Sequence, residues 1–124
     1  MEDILKEVRT ILYTNPALLT LLGGKRVYKN KAPKGNDIPF PRIILYEITT
    51  TDTDYADDNS QAIDYTVQVS IFSKKEGETL AIFNVIDPIM KANDWRRTFS
   101  NELYEEDEQV FNRPLRYRQK FMNE

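Results

Sequence analysis

The sequence predicts an α+β fold: an antiparallel sheet of about four strands with a long hairpin, an N-terminal helix pair, and one long helix packed on one face. Three observations predict it. Residues 62–73 alternate apolar and polar side chains. Residues 4–22 carry leucine, isoleucine and valine at helical spacing, and residues 74–92 repeat that pattern over a longer stretch. The two periods, 2.0 and 3.6, separate strand from helix.

The chain has 124 residues, which predicts one domain over 1–124 with enough length to bury a core. No apolar run approaches the roughly 20 residues a bilayer-spanning helix needs, so no membrane role is expected. Met1-Glu2-Asp3 lacks the basic start of a signal peptide, and none is expected. There is no cysteine and no histidine. A disulfide framework, a thiolate zinc site and a Cys or Ser/His nucleophile system are therefore excluded.

The first helix begins at Asp3, a suitable N-cap, and its stripe is Ile4, Leu5, Val8, Ile11 and Leu12. Asn15-Pro16 breaks it, because the residue before proline is pushed out of the helical region. Pro16 then opens a second short helix bearing Leu18, Leu19, Leu21 and Leu22, and Gly23-Gly24 ends it. Residues 25–28 read as a short strand. Residues 29–41 form a loop with three prolines, which leads into a strand over 42–51. Ile43, Ile44 and Leu45 place apolar groups on both faces there, so that end is expected to be buried on both sides.

Residues 49–61 are polar and acidic and read as a long hairpin tip that projects from the sheet. Calcium is the sharp alternative for Asp52, Asp54, Asp57 and Asp58. Counting from Asp52 places Ala56, Asp57 and Ile63 at the fifth, sixth and twelfth positions of an EF-hand loop, which needs oxygen ligands at the first and third of these and glycine at the second. The pattern fails. In the strand that follows, Ile63, Tyr65, Val67, Val69 and Ile71 form the apolar face, and a one-residue slip would put all five in water.

Ser73 and Glu76 have capping-box spacing and predict a helix to about Ala92. Its stripe is Leu80, Phe83, Ile86, Ile89 and Met90, broadened by Ile82 and Val85, and Pro88 is expected to kink or shorten the last turns. Residues 95–104 read as a third long strand and 102–108 as an acidic turn. The last strand, 109–121, puts Phe111, Leu115, Tyr117 and Phe121 on one face and Arg116, Arg118 and Lys120 on the other, with Pro114 marking an edge or bulge.

No catalytic constellation emerges. Gly23-Gly24 is followed by Lys25-Arg26, not by the Lys-Ser or Lys-Thr pair of a phosphate loop. The acids of 52–58 and of 102–108 lie in hydrophilic runs where nothing separates one pKa from another. No enzyme activity and no cofactor are expected. Net charge is −3 but uneven: residues 52–64 hold five Asp and no base, 102–108 five acids and no base, and 113–120 four bases and no acid. Such blocks suit a protein that meets copies of itself through opposed patches. The basic stripe Arg113, Arg116, Arg118 and Lys120 is also the best nucleic-acid signal, and Arg116, Arg118 and Lys120 point the same way, about 6–7 Å apart. The competing reading is a charged outer face that blocks aggregation or pairs with the 102–108 acids.

The order of these pieces carries a resemblance. Ala17-Leu18-Leu19-Thr20-Leu21-Leu22-Gly23-Gly24 runs into Arg26-Val27-Tyr28. Ala32-Pro33 leads to Pro39-Phe40-Pro41-Arg42-Ile43-Ile44-Leu45, then come Tyr65-Thr66-Val67-Gln68-Val69-Ser70-Ile71-Phe72, a helix, and Tyr104-Glu105-Glu106 with Arg113-Pro114-Leu115-Arg116-Tyr117. Over residues 15–120 this resembles the tail-completion or tail-terminator proteins of long-tailed bacteriophages and prophages. The resemblance implies an α+β virion subunit that assembles in the host cytoplasm as a hexameric ring. The ring caps the head-proximal end of the tail tube and meets both the tube protein and the head connector. DNA passes through its lumen without specific binding. It implies no catalytic residues, cofactor or metal. The expected interface residues are Asp52, Asp54, Asp57, Asp58, Glu105 and Glu106 toward lumen or tube, and Arg116, Arg118 and Lys120 toward neighbouring subunits. Two other readings stay open: a head-completion or minor capsid neck protein, and a small nucleic-acid-binding module using the last strand.

Overall fold

A computed structural model describes residues 3–32, 39–56 and 59–122. The element order is α1 (Ile4–Tyr13), α2 (Pro16–Leu22), β1 (Val27–Lys29), β2 (Arg42–Ala56), β3 (Asn59–Ser73), α3 (Glu78–Ala92), β4 (Arg96–Ser100), β5 (Leu103–Glu105) and β6 (Val110–Met122). Among the described residues the strands form one six-stranded sheet in the order β1-β2-β3-β6-β4, with β5 also on β6. The class is α+β with a long hairpin, as the sequence predicts. The sheet is larger and mixed, because β1 joins β2 in parallel. A three-residue strand carries too little periodicity to reveal its pairing.

The N-terminal elements follow their local signals. Asp3 accepts the Lys6 amide at 3.1 Å and Asn15 accepts the Leu18 amide at 3.0 Å, so each helix has a side-chain cap. Gly23 closes α2 at φ 78°, in the left-handed region. A side chain there would also meet the Arg26 guanidinium 3.0 Å away.

All three helices cover one face. Val8, Leu12, Leu18 and Leu22 pack with Ile82, Ile86 and Met90 against Ile43, Leu45, Val67, Val69, Ile71, Leu115 and Tyr117. Each such side chain contributes about 1.5–3 kcal/mol on burial. Trp95 is buried at the margin, where Phe121 meets it edge-on at 6.0 Å and meets Tyr65 at 5.5 Å.

Five local expectations change. The acidic stretch before residue 57 is not a loop: β2 and β3 stay paired from Arg42↔Phe72 to Ala56↔Asn59, with a bulge between Glu47 and Thr49. Backbone pairing overrides the polar composition, and threonine suits an exposed strand. Residues 33–38 of the proline loop, and Asp57 and Asp58, lie outside the described residues.

The predicted capping box does not form. Ser73 ends β3, its hydroxyl accepts the Lys75 amide at 3.0 Å and bonds the Glu78 carboxylate, and α3 starts after Gly77 at φ 81°. The extra residues let the chain reverse from sheet to helix. The buried line of α3 is Thr79, Ile82, Ile86 and Met90, whereas Leu80 is 45% exposed. Leu80 thus leaves the expected stripe and Thr79 joins it, while Phe83, Val85 and Ile89 pack partly buried against the core. The helix also continues past Pro88 to Ala92.

The predicted strand 95–104 is two short strands. β4 pairs with Leu115–Arg118 and slips register between Arg97 and Phe99, while β5 pairs with Val110–Asn112. Pro114 pairs with Ser70 on one side and faces the break between β4 and β5 on the other. That break is the edge-like place a proline needs in a central strand.

Candidate functional site

The face of the sheet turned away from the helices holds the basic stripe. Even-numbered residues of β6 lie there, because alternate side chains of a strand take opposite faces. Register places Arg116 beside Gln68 and Phe99, Arg118 beside Thr66 and Arg96, and Lys120 beside Asp64. All three cations are exposed.

They are already engaged. Arg116 Nε donates to Gln68 Oε1 at 3.0 Å, and its guanidinium lies 5.5 Å from the Phe99 ring. Arg118 Nε donates to both Asp64 oxygens at 2.9 and 3.0 Å, and Nη2 adds a third bond to Oδ2. Lys120 Nζ reaches over β3 to Asp54, at 3.1 and 3.3 Å from its two oxygens. Asp54 adopts φ 55° where the hairpin ladder skips a residue. Asp64 is 6% exposed. The hydrogen bonds from Arg118 hold its carboxyl below the ordinary 3.8 despite burial.

Among the described residues, the expected pairing with the 102–108 acids forms within the chain for Arg113 alone, which meets Glu102. Lys120 and Arg118 take acids of the hairpin and of β3. Arg113 turns to the helix face, where it meets Glu102 at 3.6 Å, donates to Thr79 Oγ1 at 3.3 Å and lies over the Phe83 ring. Asp64, Gln68 and Arg96 belong to this surface too. The visible signal for Asp64 was a lone acid within a β-branched strand.

Glu105, Glu106, Asp107 and Glu108 line a shallow concavity of about 370 Å³ at the turn from β5 to β6. Burial, with the neighbouring Glu108 carboxyl, raises the Glu105 pKa above its ordinary 4.5. Asp52 and Asp54 stand on the exposed hairpin arm, separate from that turn. The structure does not gather the two acidic blocks into one site. Among the described residues no three His, Cys, Asp or Glu side chains are placed to hold a metal ion.

The family model for tail completion protein gp17 matches residues 6–121. The chain belongs to the tail completion protein gp17 family. It is a structural protein of a phage tail. One solved chain, from a structure titled "Virion of native gene transfer agent (GTA) particle", aligns with a TM-score of 0.73. The alignment covers 94% of this chain and 92% of that one at 13% identity, so the likeness is one of fold. No curated protein matches the sequence.

Proposed function

We propose that this tail completion protein works as a single tail-terminator-like domain. It assembles as a ring, hexameric as the sequence resemblance implies, on the head-proximal end of the tail tube. The ring ends tube growth, joins the tail to the head connector, and lets DNA pass through its lumen without specific contacts. Its place is the tail–head junction of the virion, of a phage or prophage, after assembly in the host cytoplasm. It does this by binding alone, with no catalytic residue, cofactor or metal.

The family match over residues 6–121 carries this reading. The fold shared with a chain from a gene transfer agent virion supports it. Charge placement supports it as well: opposed patches at different ends of one rigid sheet favour head-to-tail contacts, which close into rings. Arg116, Arg118 and Lys120 form the subunit-contact face. The hairpin with Asp52 and Asp54 serves the tube or lumen, and Glu105 and Glu106 form a further interface patch. Because Arg118 and Lys120 spend their charge within the chain, the surface is poorly matched to a phosphate backbone, which disfavours the nucleic-acid reading.

Tube assembly tests the proposal. Purified tube protein polymerises with and without this protein, and tube lengths are measured by electron microscopy. Capped tubes of bounded length with an extra terminal ring are expected. Unchanged length distributions at saturating protein contradict the proposal.

A further inference from the structure

Arg96 makes no ion pair or hydrogen bond among the described residues, and its charge reaches Asp64 only through space. It stands directly opposite Arg118 across the β4–β6 ladder. Like charges so placed repel each other. Asp64 relieves Arg118 and Asp54 relieves Lys120, but neither bonds Arg96. The three cations, with Asp64, Asp94 and Gln119, line a concavity of about 360 Å³. Asp94 lies on its rim without an ion pair to Arg96.

The opposite deficit sits at the other end of the same strand. Glu105 pairs with Val110 at the start of β6, on the same sheet face as Arg96, while Arg118 lies eight residues further on. At about 3.3 Å per residue the two ends are about 26 Å apart. No side chain bridges that distance. The turn acids and the Arg96 concavity therefore cannot neutralise each other within one chain, although a second copy can bring them together. At the turn, burial and the neighbouring Glu108 raise the Glu105 pKa, against a hydrogen bond with Asn112 that lowers it.

We propose that the Arg96 concavity is a docking site for the acidic turn Glu105–Glu108 of a second copy of this chain. The contact joins different patches on the two partners, so it is heterologous and repeats around a ring. It rests on the ring reading above and names the residues that hold neighbouring subunits together.

The chain has no cysteine, so introduced pairs report cleanly. Arg96→Cys and Asp107→Cys are combined in one chain and built into phage tails. Disulfide-linked multiples on non-reducing gels are expected, absent from either single variant. Arg96→Glu is expected to lose ring formation, and adding Asp107→Lys to restore it. Electron microscopy of the same particles separates the failures. A terminal ring without the crosslink overturns this contact and leaves the ring reading standing. No terminal ring overturns both. Rings that survive Arg96→Glu while duplex DNA binding disappears overturn the contact in favour of a phosphate-binding site.

Discussion

Tyr117 donates its phenolic hydrogen to Asp87 Oδ1 at 2.8 Å, tying the middle of β6 to the helix that covers it. Tyr117 is fully buried, and Asp87 also holds Lys91 at 2.7 Å and Arg97 at 3.1 Å. Burial alone would raise the Asp87 pKa. The bonds from Lys91 and Tyr117 and the charge of Arg97 outweigh it and hold the carboxyl below 3.8.

Tyr117→Phe should therefore destabilise the fold by about 1–2 kcal/mol, because a buried bond to a charged acceptor is lost while the ring still packs. A urea unfolding midpoint checks this. The alkaline limb gives a second readout. Burial, then Asp87, raises the Tyr117 pKa above the ordinary 10.0. That contribution is complete below pH 10.0 and is lost as pH rises beyond it, so the wild type should lose more stability there than Tyr117→Phe.

Asp64→Asn should flatten the acid side of the stability profile. Arg118 lowers the folded-state pKa of Asp64, so its contribution is present above pH 3.8 and disappears as pH falls through the lower folded value. The wild type should lose its advantage over Asp64→Asn in that window, as followed by circular dichroism. Equal advantages at pH 7 and below that window would show that the Arg118 pair contributes no pH-dependent stability.

Ile82→Ala should cost about 2–5 kcal/mol, whereas Leu80→Ala should stay within about 0.5 kcal/mol. Ile82 is fully buried and Leu80 is 45% exposed. Thermal unfolding of the two variants measures the difference.

That pair also shows where sequence reading reaches its limit. Both positions are apolar and both fit a helical stripe. The choice between them depends on where α3 begins, and α3 begins at Glu78, not just after Ser73. By contrast β3 was legible because Ile63, Tyr65, Val67, Val69 and Ile71 admit only one register with a buried face. The hairpin arm was hidden by composition: Thr49–Thr53 reads as polar loop until its partners across β3 are known. The candidate surface was half legible. Period 2 alone placed Arg116, Arg118 and Lys120 on one face. Their partners were not visible, since Asp64 lies 54 residues from Arg118 and meets it only through the β3–β6 register.

Arg116→Glu and Arg118→Glu together should block ring assembly. Arg118 also holds Asp64, so the variant's melting curve must be compared with that of Asp64→Asn to separate folding from assembly. Finished rings or infectious virions carrying both reversals would contradict the assignment of this face to subunit contacts.

The central claim is tail termination, and the most direct measurement is negative-stain microscopy of particles from the parent phage with this gene deleted. The account predicts filled heads beside unjoined tails, some of them overlong. Tails of normal length beside heads that leak DNA would contradict it and move the protein to the head side of the neck, and intact infectious virions would contradict it outright.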